Sequence, residues 1–164
     1  MISAIVAVDK NWGIGYNNQL LEHIPEDMKN FVHLTTGNVV VMGRKTWNSL
    51  PKKPLPNRTN IVITSNPVNF TLINGAHRQT LEDTINDMKT IKDVEWFVIG
   101  GESIYKQLLP LCERVYLTKI DKEYENVDAY FPNLDEMDEW SAAACSSVRT
   151  YNNLNYQFWQ YERF

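Results

Sequence analysis

The stretch Val39-Val40-Val41-Met42-Gly43-Arg44-Lys45-Thr46 reads as a buried strand that runs through a glycine into a helix, and Phe97-Val98-Ile99-Gly100-Gly101-Glu102-Ser103 repeats the pattern far along the chain. At each junction glycine lets the backbone pass close to a ligand. The first amides of the following helix lack intrahelical partners and attract anions. The first junction adds two cations and a hydroxyl at Arg44, Lys45 and Thr46. One such junction is common in α/β proteins. Two in a chain of 164 residues point to an extended ligand with several phosphates, as in a dinucleotide.

Further apolar runs rich in Val and Ile predict strands over Ile2 to Val8, Asn60 to Thr64, Leu72 to Ala76, Val94 to Ile99 and Arg114 to Ile120. Continuous runs of this kind suit parallel strands covered on both faces. Helices fall between them. Pro25 suits a first turn, Ile24, Met28, Phe31 and Leu34 form an apolar stripe, and Gly37 is a stop. Thr80 and Asp83 resemble a capping box ahead of Leu81, Ile85 and Met88, and a helix from Glu102 should end before Pro110. The alternation predicts an α/β fold with a largely parallel sheet. After an acidic loop from Asp135 to Glu139, the tail from Tyr156 to Arg163 has period two, as in an antiparallel strand joined by a hairpin.

The length suits one domain over residues 1–164. Apolar content of 43% and aromatic content of 12% are ordinary for a globular protein. Net charge is −4 and the pI about 5.4, which argues against nucleic acid as a partner. Cys112 and Cys145 have no metal-site spacing and form no disulfide framework, so no metal is expected and a reducing compartment is. The apolar N-terminus has no basic leader and reads as a first strand, and no run approaches the roughly 20 apolar residues of a membrane span. These features predict a cytoplasmic protein with no membrane partner.

Gly13-Ile14-Gly15 begins like a dinucleotide fingerprint, but Asn18 stands at the third glycine position and no helix opens there. The segment from Trp12 to Gln19 is too long for a tight turn. It reads either as a surface loop or as a mobile loop over a ligand site. Asp27 lies three residues after Ile24 and one turn before Phe31, on the helix face that meets the core. A carboxylate there is either a first-turn acid favoured by the helix dipole or a functional group.

The ordered set Ala7, Gly13-Ile14-Gly15, Pro25-Glu26-Asp27 with Phe31, Val41-Met42-Gly43-Arg44-Lys45-Thr46-Trp47, Leu55-Pro56-Asn57-Arg58, Ile99-Gly100-Gly101 with Tyr105, and Tyr116-Leu117-Thr118 resembles bacterial dihydrofolate reductase across essentially the whole chain. The resemblance implies a mixed sheet of eight strands, parallel except for the C-terminal one, flanked by four helices. It implies reduction of 7,8-dihydrofolate by NADPH, with hydride transfer to pterin C6 and protonation of N5. Asp27 would accept from the pterin 2-amino group and N3, braced by Thr118, while water delivers the proton. Ile5, Val6, Ala7, Met28, Phe31, Leu50, Leu55 and Ile99 would line the substrate site, and Arg58 would hold the glutamate α-carboxylate. Ala7, Ile14, Gly15 and Ile99 would meet the nicotinamide end of the cofactor. Gly43, Thr46 and the segment Gly100, Gly101, Glu102, Ser103, Ile104, Tyr105 would meet the pyrophosphate, and Arg44, Lys45, Thr64 and Ser65 the adenosine 2′-phosphate region. In the family the Gly100-Gly101 bond is cis. Folate-like inhibitors would share the pterin site, and a monomer is expected.

The chain departs from the family at the lid, where Leu20-Leu21-Glu22 replaces the usual Leu-Pro-Trp and removes an indole donor. Glu22 either enters the cleft beside Asp27 or pairs with a lid residue such as Lys10. Ala129 replaces the threonine that commonly follows Asp128. Two rival readings remain: a reductase of the same fold acting on a ribosylated pyrimidine of riboflavin synthesis, and a nucleotide-binding protein without catalysis.

Overall fold

Val40, Val41, Met42, Val62 and Val98 have no solvent exposure, as expected of consecutive apolar residues in strands covered on both faces. The computed structural model describes residues 1–65 and 76–164. Within them the elements are β1 (Ile2–Val8), β2 (Gly13–Tyr16), β3 (Gln19–Leu20), α1 (Pro25–Thr35), β4 (Val39–Gly43), α2 (Arg44–Ser49), β5 (Thr59–Ile63) and β6 (Ala76–Gln79). They continue with α3 (Leu81–Thr90), β7 (Trp96–Gly100), α4 (Glu102–Leu108), β8 (Arg114–Ile120), β9 (Ala129–Tyr130), β10 (Trp140–Cys145), β11 (Arg149–Tyr151) and β12 (Leu154–Arg163).

The main sheet runs β10-β12-β8-β1-β7-β4-β5-β6. From β8 to β6 every neighbour is parallel, and β12 is antiparallel to both β8 and β10. Among these eight described strands, therefore, only the C-terminal one is reversed, as expected. β11 folds back on β12 through Asn152-Asn153. The bounds of β1 and β8 are those expected from sequence. Residues 72–75 of the expected strand Leu72 to Ala76 lie outside the described residues, and β6 begins at Ala76. Thr80 Oγ1 accepts from the Asp83 amide at 3.1 Å, capping α3. α4 stops at Leu108 and passes into a single 3-10 turn, Leu109–Leu111, which accommodates Pro110.

Parallel pairing carries the carboxyl ends of β4 and β7 to one edge, where Met42 lies opposite Gly100. The two strand-glycine-helix junctions are thereby neighbours. A crevice outside the carboxyl ends of parallel strands is where open α/β sheets bind ligands.

The segment from Trp12 to Gln19, which reads as a surface loop or as a mobile loop over a ligand site, is more regular than either reading states. It contains a hairpin, β2 with β3, closed by Asn17-Asn18 at φ of 53° and 62°. Two successive positive φ angles make the turn whose twist matches antiparallel strands, and asparagine tolerates them well. β9 pairs with the other edge of β2, giving a small second sheet.

The fully buried Asn60 at the start of β5 organises the segment before it. Its Oδ1 accepts from the Leu55 amide at 2.9 Å, and its Nδ2 donates to the Leu55 and Arg58 carbonyls at 3.0 and 3.1 Å. Replacing it would strand a buried donor and acceptor. Urea unfolding of Asn60→Ala should accordingly show a loss of about 2–3 kcal/mol.

Candidate active site

Asp27 is the third residue of α1, and its Oδ1 accepts from the Thr118 hydroxyl of β8 at 2.6 Å. Two forces put it there. Pro25 starts α1 in a conformation its ring already has, and the buried Ile24 anchors the helix entry against Ile120 and Tyr156. Glu26, the neighbour of Asp27, accepts from Tyr156 Oη and Arg149 Nη1, both at 3.0 Å, so the β11–β12 hairpin holds the same turn. Burial raises the Asp27 pKa above its ordinary 3.8, and the Thr118 hydrogen bond opposes that rise without cancelling it. No other hydrogen bond ties the carboxylate to a described residue. It is a half-buried, poorly solvated acceptor with capacity to spare.

An apolar wall stands beside it. Ile5, Met42, Trp47 and Phe97 form a buried cluster, and Phe31, Leu34, Leu50, Leu55, Ile99 and Tyr116 pack against it. Five residues expected at the substrate, Ile5, Phe31, Leu50, Leu55 and Ile99, are thus brought together. Met28 is not part of that cluster; it is 41% exposed and lines an open groove with Lys29, Val32 and His33 of α1. Val6 flanks the larger core cluster, while Ala7 packs against the cluster of Ile24, Ile120 and Tyr156.

Arg58 is aimed by its surroundings. Its Nε donates to the Pro56 carbonyl at 2.9 Å and its Nη1 to Thr35 Oγ1 at 3.1 Å, with the guanidinium 5.8 Å from the Phe31 ring. Burial lowers its pKa, yet arginine stays charged at any physiological pH. Among the described residues it forms no ion pair. Thr35, fully buried and hydrogen-bonded to the Phe31 carbonyl, and Asn60 beneath the same segment are site-building residues that the sequence reading missed.

At the other end of the cleft the glycines make room. A Cβ on Gly101 would lie 3.5 Å from Thr46 Oγ1, which places the two junctions against one another. Gly100 has φ of +123°, and a Cβ there would press on the Tyr105 ring at 3.2 Å. The Gly100-Gly101 bond is cis, as the resemblance implies. Tyr105 and Ile104 are buried beneath this turn: Tyr105 donates its hydroxyl to the Ile5 carbonyl at 2.7 Å, and Ile104 packs under Gly43. Arg44, Lys45 and Ser65 are exposed. Gly43 pairs with Ile63, so Thr64 and Ser65 leave β5 alongside Arg44 and Lys45. Glu102 points across to the lid side, where its Oε1 accepts from the Tyr130 amide at 2.6 Å.

The lid hairpin is fastened at several points. Asp128 Oδ2 accepts from the Asn17 amide at 3.0 Å, and the Asp128 amide donates to the Gly15 carbonyl at 3.0 Å. The buried Asp9 accepts from the amides of Asn11 and Gly13. Gly13 has no space for a Cβ, which would meet Val127 at 2.7 Å. Leu20 is exposed, whereas Ile14 is partly buried against the core. Glu22 does not pair with Lys10, whose partner is Asp121 at 3.6 Å; its Oε2 accepts from Tyr124 Oη at 2.7 Å.

The whole arrangement has known counterparts. Residues 1–163 match the family model for dihydrofolate reductase. The dihydrofolate reductase of Bacillus subtilis is 37% identical over 169 residues, covering 99% of this chain and 95% of that protein. That of Buchnera aphidicola is 37% identical over 159 residues, with 96% of each covered. The structure of the Enterococcus faecalis dihydrofolate reductase complexed with NADP(H) and RAB-propyl superposes with a TM-score of 0.88 at 30% identity, over 99% of this chain and 96% of that one. With the family model matched over almost the whole chain and relatives of 37% identity covered nearly end to end, the chain belongs to the dihydrofolate reductase family.

Proposed function

We infer that this protein reduces 7,8-dihydrofolate to 5,6,7,8-tetrahydrofolate with NADPH, and that Asp27 is the residue on which the chemistry turns. The observation that carries this reading is the Asp27 carboxylate, held by Thr118 at the end of an apolar wall. A pterin offers two adjacent donors, its 2-amino group and N3, on the edge of a flat apolar ring. A carboxylate with two coplanar acceptors matches that edge. Because the site solvates the bare carboxylate poorly, pairing it with those donors recovers more than it would in water.

NADPH held at the paired junctions would supply a hydride equivalent to pterin C6 and leave as NADP+, with a proton completing the addition at N5. The residues present fit such a cofactor. Gly43 and Gly101 let the two junctions pack closely, Thr46 offers a hydroxyl between them, and Arg44 and Lys45 bring positive charge to the same edge. Asp27 orients the pterin and, when ionised, draws positive character towards the ring, which favours protonation of N5 by water. Thr118 keeps the carboxylate in the plane of the amidine edge. Phe31, Leu50 and Leu55 exclude water from the ring faces, and Arg58 suits the terminal carboxylate of the glutamate tail.

Oxidation of NADPH dependent on added dihydrofolate tests the reading, with a ribosylated aminopyrimidine as the competing substrate. Turnover of the pyrimidine alone would favour the riboflavin-type reductase, and turnover of neither would favour a binding protein. The same proposal includes a monomeric, cytoplasmic enzyme that folate-like inhibitors also occupy; sedimentation and cell fractionation check the first two points.

Asp27→Asn keeps the shape and removes the charge. Its hydride-transfer rate at pH 7 should fall about 100-fold, within the usual range for a group assisting proton transfer. Part of the loss should be recovered in acid, where the substrate arrives already protonated. Rates across a pH series in single turnovers provide the check, and wild-type rates throughout would refute the role.

The same variant has an opposite effect on stability. A carboxyl whose pKa is raised by folding binds its proton more tightly in the folded state. Its favourable contribution is fully present below the unfolded value and is lost as pH rises through the folded one. At pH 7.5 the ligand-free wild type therefore carries a buried charge that the neutral amide of the variant avoids. Thermal melts should place Asp27→Asn above wild type at pH 7.5, with the gap closing towards pH 4.

Arg44 should discriminate between NADPH and NADH, because a charge-assisted hydrogen bond to the 2′-phosphate is worth roughly 1.5–3 kcal/mol. Arg44→Ala should weaken NADPH at least about tenfold while leaving NADH little changed, measured by fluorescence titration with both cofactors.

A further inference from the structure

Tyr124, in the segment between β8 and β9, touches both ends of the lid at once. Its backbone amide donates to Asp9 Oδ2 at 3.2 Å, and its phenol donates to Glu22 Oε2 at 2.7 Å. Asp9 stands just before the lid hairpin, is almost wholly buried, and uses its other oxygen on the Asn11 and Gly13 amides. Glu22 stands just after the hairpin, two residues before the buried Ile24 at the entry to α1. The Tyr124 ring is itself packed into the cluster of Ile24, Ile120 and Tyr156, with Lys122 Nζ 4.6 Å from its centre. Tyr124, its ring anchored in the core, thus links residue 9 through its amide to residue 22 through its phenol and closes the base of the loop that carries β2 and β3.

We propose that Tyr124 is a positioning residue for the lid, and that Glu22, standing where the family usually has tryptophan, serves as its acceptor. The phenol and the carboxylate together set how the hairpin lies over the cleft. Burial, reinforced by Glu22 and Asp9, pushes the Tyr124 phenol well above its ordinary pKa, so it remains a donor across the physiological range. Glu22 already has a partner in the core-anchored Tyr124 phenol, which distinguishes this assignment from one in which its carboxylate works on the pterin beside Asp27. The kinetic part of the proposal rests on the reductase reading. The conformational part does not.

The test uses the full-length protein and four variants: Tyr124→Phe, Glu22→Ala, the double variant, and Glu22→Gln, which keeps an acceptor for the phenol. Amide hydrogen exchange over residues 13–20 in the ligand-free protein reports the tie directly, with the amides of β1 as an internal standard. Tyr124→Phe and Glu22→Ala should each speed lid exchange by about fivefold, the scale of one hydrogen bond. The double variant should go no further than either single, and Glu22→Gln should recover most of the protection. Single-turnover hydride transfer should slow by a similar factor in Tyr124→Phe and Glu22→Ala, with NADPH dissociation faster. Unchanged lid exchange in Tyr124→Phe would overturn the proposal, as would single effects that multiply in the double variant or a Glu22→Gln that behaves like Glu22→Ala. Should the wild type fail to oxidise NADPH with dihydrofolate, the functional reading falls, and the exchange data still decide the tie.

Discussion

The hydrogen bond from Thr118 to Asp27 joins the first helix to a strand 91 residues away, and the cleft depends on it. Without a partner the carboxylate would swing towards water, since burial works against its charge. With a single short bond it is held in place yet left unsatisfied. A fully neutralised carboxylate, paired with arginine for example, would be stable and inert. One that is braced but poorly solvated is primed for a ligand bearing donors. The surrounding structure protects this balance: Glu26 and its partners Tyr156 and Arg149 fix the helix turn, and the buried Ile24 fixes its entry.

The opposite end of the cleft follows from strand order. Because β7 lies between β1 and β4, two junctions far apart in sequence leave the sheet side by side, and glycine keeps the ground between them clear. Tyr105 supports this turn from below while its hydroxyl binds the Ile5 carbonyl on β1. The glycine turn and the apolar wall that includes Ile5 are therefore mechanically one piece. The small sheet of β2, β3 and β9 is fastened to that piece by Asp9, Tyr124 and Glu102. Such a division suits a site that must admit and release two ligands in turn.

Much of this is legible in the sequence where a single physical preference dominates. β1 and β8 are runs of apolar residues in the middle of the sheet, and their ends are readable to the residue. The helix stripe through Ile24 and Phe31 places Asp27, and the two glycine junctions readable in the sequence are the ones that strand order brings together. What escapes is set by context. β10 is an edge strand of mostly small, exposed residues with no alternation to reveal it. The lid hairpin is hidden because Asn17-Asn18 reads locally as loop, although the same Asn-Asn turn recurs at Asn152-Asn153 and signals both hairpins once its positive φ angles are considered. Asn60, Thr35 and Tyr124 act through partners that only folding brings near, so their roles have no local signature.

The central claim is that Asp27 is a poorly solvated, underused acceptor that the pterin satisfies. It is most directly tested by carbon-13 NMR titration of the Asp27 carboxyl, with and without bound folate. The account predicts titration above the ordinary carboxylate value in the free protein, and a carboxyl that stays ionised to lower pH once the pterin edge is paired with it. An Asp27 that titrates in the ordinary range and does not respond to folate would contradict it.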